Sequence, residues 1–119
     1  MYNEIVLDLF QNASNFGVMD GPHITGQSGV PGEGPFVRIH IRTFNKIIEE
    51  ASFETYGCPA AIACGSWTAG WIVGKTAEEA MKLDASDLLL LLGGLPLGKE
   101  HCATLAIEAL RAGVAQIAD

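Results

Sequence analysis

The stretch Phe36–Ala63, FVRIHIRTFNKIIEEASFETYGCPAAIA, changes its period once, and that change decides the fold. From Phe36 to Thr43 the side chains alternate, with Val37, Ile39 and Ile41 on one face and Arg38, His40 and Arg42 on the other. Alternation at period two marks a strand with one buried face. Phe44-Asn45-Lys46 makes a turn, and Ile47 to Tyr56 alternates again, Ala51, Phe53 and Thr55 against Glu50, Ser52 and Glu54. The two strands are expected to pair antiparallel, with the glutamates across from the arginines. After Gly57 the period lengthens. Pro59 suits the first turn of a helix and puts Cys58 at or near its N-cap. Ile62, Ser66, Ala69 and Val73 carry the helix to Gly74, a residue suited to the position after a helix end.

Outward from this stretch the signals are shorter. Tyr2 to Phe10 places Ile5, Val6, Leu9 and Phe10 as a short amphipathic helix. Gln11 to Gly21 is rich in turn residues, and Pro22 to Pro35 carries glycines at 26, 29, 32 and 34. That second segment reads as a mobile loop with room for one short edge strand. Downstream, Thr76-Ala77-Glu78-Glu79 is a capping box opening a short helix. Asp84 to Leu92 reads as another, capped by Asp84 or Ser86 and stopped at Gly93-Gly94. Leu95 to Gly98 is a break. A last helix spans about Lys99 to Ala118, with Cys102, Leu105, Ala106, Ala109, Leu110 and Ile117 on one stripe. Strands first and helices after give an α+β fold, a small antiparallel three-stranded sheet with several helices laid on one face.

Composition sets the outer limits. With 119 residues, 49% of them hydrophobic, the chain suits one domain over 1–119 around one core. A net charge of −7 argues against a nucleic-acid groove or an anionic membrane surface as partner. The start of the chain has no basic segment followed by an apolar one, and the apolar run Leu88–Leu92 is too short to cross a bilayer. A soluble, cytoplasmic protein is expected.

Three cysteines, Cys58, Cys64 and Cys102, argue against a disulfide framework and for thiols that are buried, reactive or metal-bound. Cys58 and the pair His101-Cys102 both fall at expected helix N-termini. Unpaired backbone N–H groups and the helix dipole there favour a thiolate. Two thiolates and an imidazole suit zinc or an iron–sulfur cluster, while small buried cysteines remain the ordinary alternative. Cys64, six residues beyond Cys58, is turned by roughly 120° and displaced by about 9 Å along the helix, so core packing or an interface is expected for it. His23 in a loop and His40 on a polar strand face read as ordinary. Trp67 and Trp71 are i,i+4 neighbours expected in the core, or on a partner surface if exposed. The glycine-rich loop lacks the strand–loop–helix frame and the lysine of a phosphate site, which excludes nucleotide binding.

Taken together, Phe53 to Ala63, then Gly74-Lys75-Thr76 with Glu79-Ala80, then Leu95-Pro96, Lys99, His101-Cys102, Leu105-Ala106 and Ala109-Leu110 resemble the NifU/IscU-type iron–sulfur cluster scaffolds. Leu9-Phe10 with Asn15 and Gly17 is similar to that family's N-terminal helix and turn. The resemblance implies a scaffold that builds a [2Fe–2S] cluster or binds iron or zinc, takes sulfur from a cysteine desulfurase and passes its cargo to recipient proteins. It implies a carrier, with no turnover reaction of its own. The family's ligands are three cysteines, a nearby aspartate and the histidine before the last cysteine. This chain keeps Cys58, His101 and Cys102, with Lys99 beside them. The family's first Cys-Gly-Asp element aligns with Glu33-Gly34-Pro35, so Glu33 stands in the place of the first ligand cysteine and Pro35 in that of the aspartate. Glu33, Cys58, His101 and Cys102 make an acceptable zinc set and a poorer iron–sulfur set. The family's segment for its dedicated chaperone has two prolines and a valine. Pro96-Leu97-Gly98 here counts against that partner, and Cys64 and Gly65 replace the usual serines.

The departures leave two functions in view. One is an assembly scaffold or carrier on Cys58, His101 and Cys102, of which a zinc-bound sulfur acceptor with a persulfide on Cys102 is a variant. The other is a structural or regulatory subunit of a larger complex, or a homo-oligomer, joined through Trp67, Trp71 and the Leu88–Leu92 run.

Overall fold

In the computed structural model, which describes residues 2–117, the alternating stretch forms the expected hairpin. Strand β2 (Phe36–Phe44) pairs antiparallel with β3 (Ile47–Tyr56), with Arg38 opposite Glu54 and Arg42 opposite Glu50. The second pair forms an ion pair at 2.6 Å and the first a looser one at 3.9 Å. Only Asn45 and Lys46 make the turn, both at positive φ (52° and 67°), as the twist of a two-residue hairpin requires. A register shift after Arg42 leaves Glu49 as the extra residue on β3.

The segment read mostly as loop contains a full strand. β1 (Ile24–Ser28) lies antiparallel on β2 from Ile24↔Ile41 to Ser28↔Val37, giving the sheet order β1-β2-β3. Gly26 at its centre hid it, because a glycine carries no pattern. Its reason lies elsewhere in the chain: a Cβ there would collide with the backbone of Ala109 and Gly113. The sheet and the last helix touch backbone to backbone at this seam.

Helix α1 (Glu4–Gln11) is capped by Asn3, whose Oδ1 accepts from Val6 N at 2.9 Å while its Nδ2 donates to Leu92 O. Helix α2 (Pro59–Ile72) is buried on nearly every side, from Ala60 and Cys64 to Thr68 and Ile72. Gly74, at φ +90°, ends it. Two short helices follow, α3 (Ala77–Ala80) and α4 (Ala85–Leu91), opened by the reciprocal capping pairs Thr76–Glu79 and Asp84–Asp87. Helix α5 (His101–Val114) starts two residues later than expected, and the expected end at Ala118 lies outside the described residues.

Val37, Ile39, Ile41 and Phe53 turn inward against α2 and α5, so the helices cover one sheet face. The Phe53 ring lies where a Cβ on Gly65 would be, which brings β3 and α2 unusually close. The other sheet face is not bare. His40 is only 5% exposed there, bonded to Thr25 Oγ1 at 2.9 Å and to Glu54 Oε1 at 2.8 Å, with the His23 ring edge-on at 5.1 Å. A histidine read as ordinary is thus a cross-strand bridge joining all three strands. Trp67 and Trp71 stack at 6.0 Å but are half-buried, and Lys75 sits over the Trp71 ring. They form a ridge on the core's edge and do not lie inside it. No helix among the described residues is long and apolar enough to cross a membrane.

Candidate functional site

Two helix N-termini meet at one end of the molecule. Cys58 occupies the N-cap of α2 with extended backbone, and Pro59 follows as the first helical residue. His101 and Cys102 are the first two residues of α5, preceded by a turn in which Lys99 N donates to Pro96 O at 2.9 Å. The packing of α2 on α5 brings these ends together. Cys58 Sγ lies 4.0 Å from Cys102 Sγ, and Cys102 Sγ lies 3.8 Å from His101 Nε2. Both thiols are unbonded.

The electrostatics divide the two thiols. Burial pushes Cys58 up, yet the N–H groups of Ala61 and Ala60, the contact with Cys102 and the Lys99 ammonium outweigh it, and the thiol lies below its ordinary value. Cys102 is pushed up to about 12, first by burial and then by the neighbouring Cys58 charge, against a pull from Lys99. Two thiolates in contact repel, so of the pair Cys58 is the more readily ionised. Tyr2, which no periodicity marked, lies at this site; burial and the charge and hydrogen bond of Cys58 raise its phenol. Its chain neighbours give no signal, since its partner is more than fifty residues away.

The donor spacing can be compared with a metal centre. Two Zn–S bonds of about 2.3 Å at a tetrahedral ion place the sulfurs about 3.8 Å apart, close to the separation of the cysteine pair. The His101 imidazole adjoins only Cys102 of the pair, at 3.8 Å. Glu33 is not gathered in. It is exposed in the turn between β1 and β2, its amide bonded to Val30 O at 3.0 Å. Among the described residues no three His, Cys, Asp or Glu side chains are grouped around one point. Gly32 and Gly34, both at positive φ, flank Glu33 and line a cleft with Phe36 and Tyr56, two residues before Cys58. Cys64 packs in the core as expected, with burial pushing its thiol up to about 12.

Known proteins share this arrangement of elements. The family model described as the NifU-like N-terminal domain matches residues 1–118. The Archaeoglobus fulgidus iron-sulfur cluster assembly scaffold protein IscU 1 is 40% identical over 114 residues, 96% of this chain and 74% of the relative. The Escherichia coli iron-sulfur cluster assembly scaffold protein IscU is 36% identical over 118 residues, 96% of this chain and 91% of the relative. A solved structure from Fervidobacterium islandicum AW-1, described as a candidate iron-sulfur cluster assembly scaffold for the SUF system, superposes with a TM-score of 0.74. It is 21% identical and covers 95% of this chain and 96% of its own, a likeness of fold.

Proposed function

This chain belongs to the NifU-like N-terminal domain family, and on that footing we propose that it is an iron–sulfur cluster assembly scaffold or carrier. Iron, a [2Fe–2S] cluster or zinc is its cargo, held on Cys58, Cys102 and His101. The observation that carries this reading is the 4.0 Å contact of two thiols at paired helix N-termini, with His101 Nε2 3.8 Å from one of them. Cys58, the more readily ionised thiol, engages metal first, and Cys102 must release its proton as it binds. Both helix N-termini then face the negative charge of the metal-bound thiolates. Glu33, which stands in place of the family's first ligand cysteine, would have to leave its exposed turn to serve as a fourth ligand. A carboxylate in place of a thiolate makes a poorer iron–sulfur set and an acceptable zinc set. A cysteine desulfurase and cluster-recipient proteins are the partners this role requires. The chain performs no turnover of its own.

Protein purified anaerobically from iron-replete cells is expected to carry iron and acid-labile sulfide. Cys58→Ala and Cys102→Ala should each remove both, and Glu33→Ala should weaken retention. A folded wild-type protein that stays free of iron, sulfide and zinc, even when offered a sulfur donor with ferrous iron, sinks the reading.

One feature favours a second reading, a subunit that keeps the fold inside a larger complex. Leu90 is 82% exposed and Leu97 is 95% exposed, and a cleft of about 370 Å³ lies beside Leu90 between Trp71, Leu83 and Leu91. Stoichiometric copurification with another chain, lost in Leu90→Glu, is the expected sign. A monomer at all accessible concentrations removes it.

A further inference from the structure

The contact between the two outer cysteines sets which sulfur can be attacked. Cys58 is half-buried at the N-cap of α2, whereas Cys102 is 2% exposed and Cys64 is fully buried. A sulfur donor arriving from solvent therefore meets Cys58 first. Cys102 Sγ lies 4.0 Å from the Sγ of Cys58 itself. A sulfur added to Cys58 from its solvent side sits on the side of Sγ away from the buried Cys102, so the atom facing Cys102 becomes the inner sulfur of a persulfide. Attack on an outer sulfur passes it along, whereas attack on an inner sulfur expels the outer one.

We infer that Cys58 and Cys102 form a sulfide-releasing pair, in which Cys58 accepts a sulfane sulfur from a low-molecular-weight or protein persulfide and Cys102 expels it as hydrogen sulfide. In the first step the Cys58 thiolate attacks the outer sulfur of the donor R–S–SH. A bond forms from Cys58 Sγ, the donor S–S bond breaks, and the donor leaves as R–S⁻. In the second step Cys102 Sγ attacks Cys58 Sγ while its proton passes to the departing outer sulfur. The Cys58–Cys102 disulfide forms, the bond to the outer sulfur breaks, and that sulfur leaves with the electron pair as hydrogen sulfide. The sum is R–S–SH plus two protein thiols going to R–SH, one disulfide and H₂S. The sulfane sulfur gains two electrons and the two cysteines lose them, so no other oxidant enters. Closure from thiol contact to a bond of about 2.05 Å needs the two sulfurs to approach by about 2 Å, within the reach of side-chain rotation at the half-buried Cys58. A dithiol reductant must reopen the disulfide before another round, and while it is closed the pair cannot hold metal. The inference deepens the assembly reading, which supplies the use for the sulfide, and assigns Cys58, not Cys102, as the persulfide-bearing residue.

The experiment uses the full-length, reduced, metal-free protein with glutathione persulfide, in anaerobic buffer containing a chelator and no added thiol. Sulfide is read colorimetrically above the donor-only background, and intact mass and peptide mapping give the state of the cysteines. Wild type is expected to release about one sulfide per chain and to lose about 2 Da as the Cys58–Cys102 disulfide forms. Cys102→Ser should hold a gain of about 32 Da on Cys58 and release at least tenfold less sulfide. Cys58→Ser should do neither, and Cys64→Ala should behave as wild type. A stable persulfide on wild-type Cys58, sulfide undiminished in Cys102→Ser, or a disulfide to Cys64 would each overturn the inference. Iron and sulfide loading of the same preparations separates the two ideas. A protein that loads a cluster but retains the persulfide loses only this inference, and one that releases sulfide but never loads iron loses only the assembly reading.

Discussion

The N-terminal ends of α2 and α5 and the later turns of the same two helices are built on opposite terms. At the ends, Cys58, His101, Cys102, Lys99 and Tyr2 crowd polarisable and ionisable groups together. Further along the helices, in the middle of α2 and the last turn of α5, the decisive feature is the missing side chain. Gly113 lets β1 touch α5 at Gly26, and Gly65 lets Phe53 of β3 sit on α2. Cys64 belongs to the second region although it shares a helix with Cys58. The same residue type is reactive at a helix cap with free N–H groups and inert where apolar atoms surround it. Chemistry at one end thus depends on a fit in the later turns that holds the two caps in contact.

The sharpest way to separate the regions is to remove a thiol. Cys102→Ala is expected to abolish retained iron and sulfide, a loss of a hundredfold or more, while the unfolding midpoint in urea shifts only slightly. A variant that unfolds as well as losing metal would show that the end carries structural weight. Next comes the seam. Gly26→Val pushes side-chain atoms into the backbone of Ala109 and Gly113 and should cost about 3 kcal/mol in denaturant unfolding. It should weaken metal loading only through loss of fold, so added osmolyte should restore both together. Alkaline pH provides a third contrast. The folded-state thiol of Cys64 is raised to about 12, so its share of stability is intact below the ordinary thiol value near 8.5 and declines as pH climbs from there towards 12. The slope is about 1.4 kcal/mol per pH unit for one such thiol. Cys58 runs the other way, because its lowered value favours the folded state as pH rises. Cys64→Ala should remove this thiol's share of the alkaline decline, leaving that of Cys102, while costing about 1 kcal/mol at neutral pH and leaving iron loading unchanged. The smallest effect lies far from both regions. Lys46→Gly relieves positive φ at the hairpin turn and should stabilise by up to about 1 kcal/mol, with no change in metal content.

Residues whose reason is local could be read in advance. The β2–β3 hairpin announced itself by alternation, and the capping pairs at Thr76 and Asp84 by spacing along the chain. Cys58 and His101-Cys102 stood out because a proline and a helix start mark each one. What escaped notice has its cause at long range. β1 was obscured by Gly26, whose demand comes from Gly113, eighty-seven residues later. His40 looked like one more polar-face residue until Thr25 and Glu54 met it across two strand pairings. Tyr2 gave no sign of its place beside Cys58. Glu33, chosen because it aligns with a missing cysteine, stays exposed in its turn. Alignment supplies a position along the chain, whereas ligation needs a position in space.

The seam between β1 and α5 also sets an order of events during synthesis. Contacts between residues about ninety positions apart close late, because the intervening chain must be made and ordered first. A chain emerging from its N-terminus completes the β2–β3 hairpin and α2, with Cys58 in place, before Cys102 exists. Only when α5 docks on Gly26 does the second thiol arrive. A half-made chain therefore presents Cys58 without its partner thiol, and metal capture waits until α5 has been made and docked.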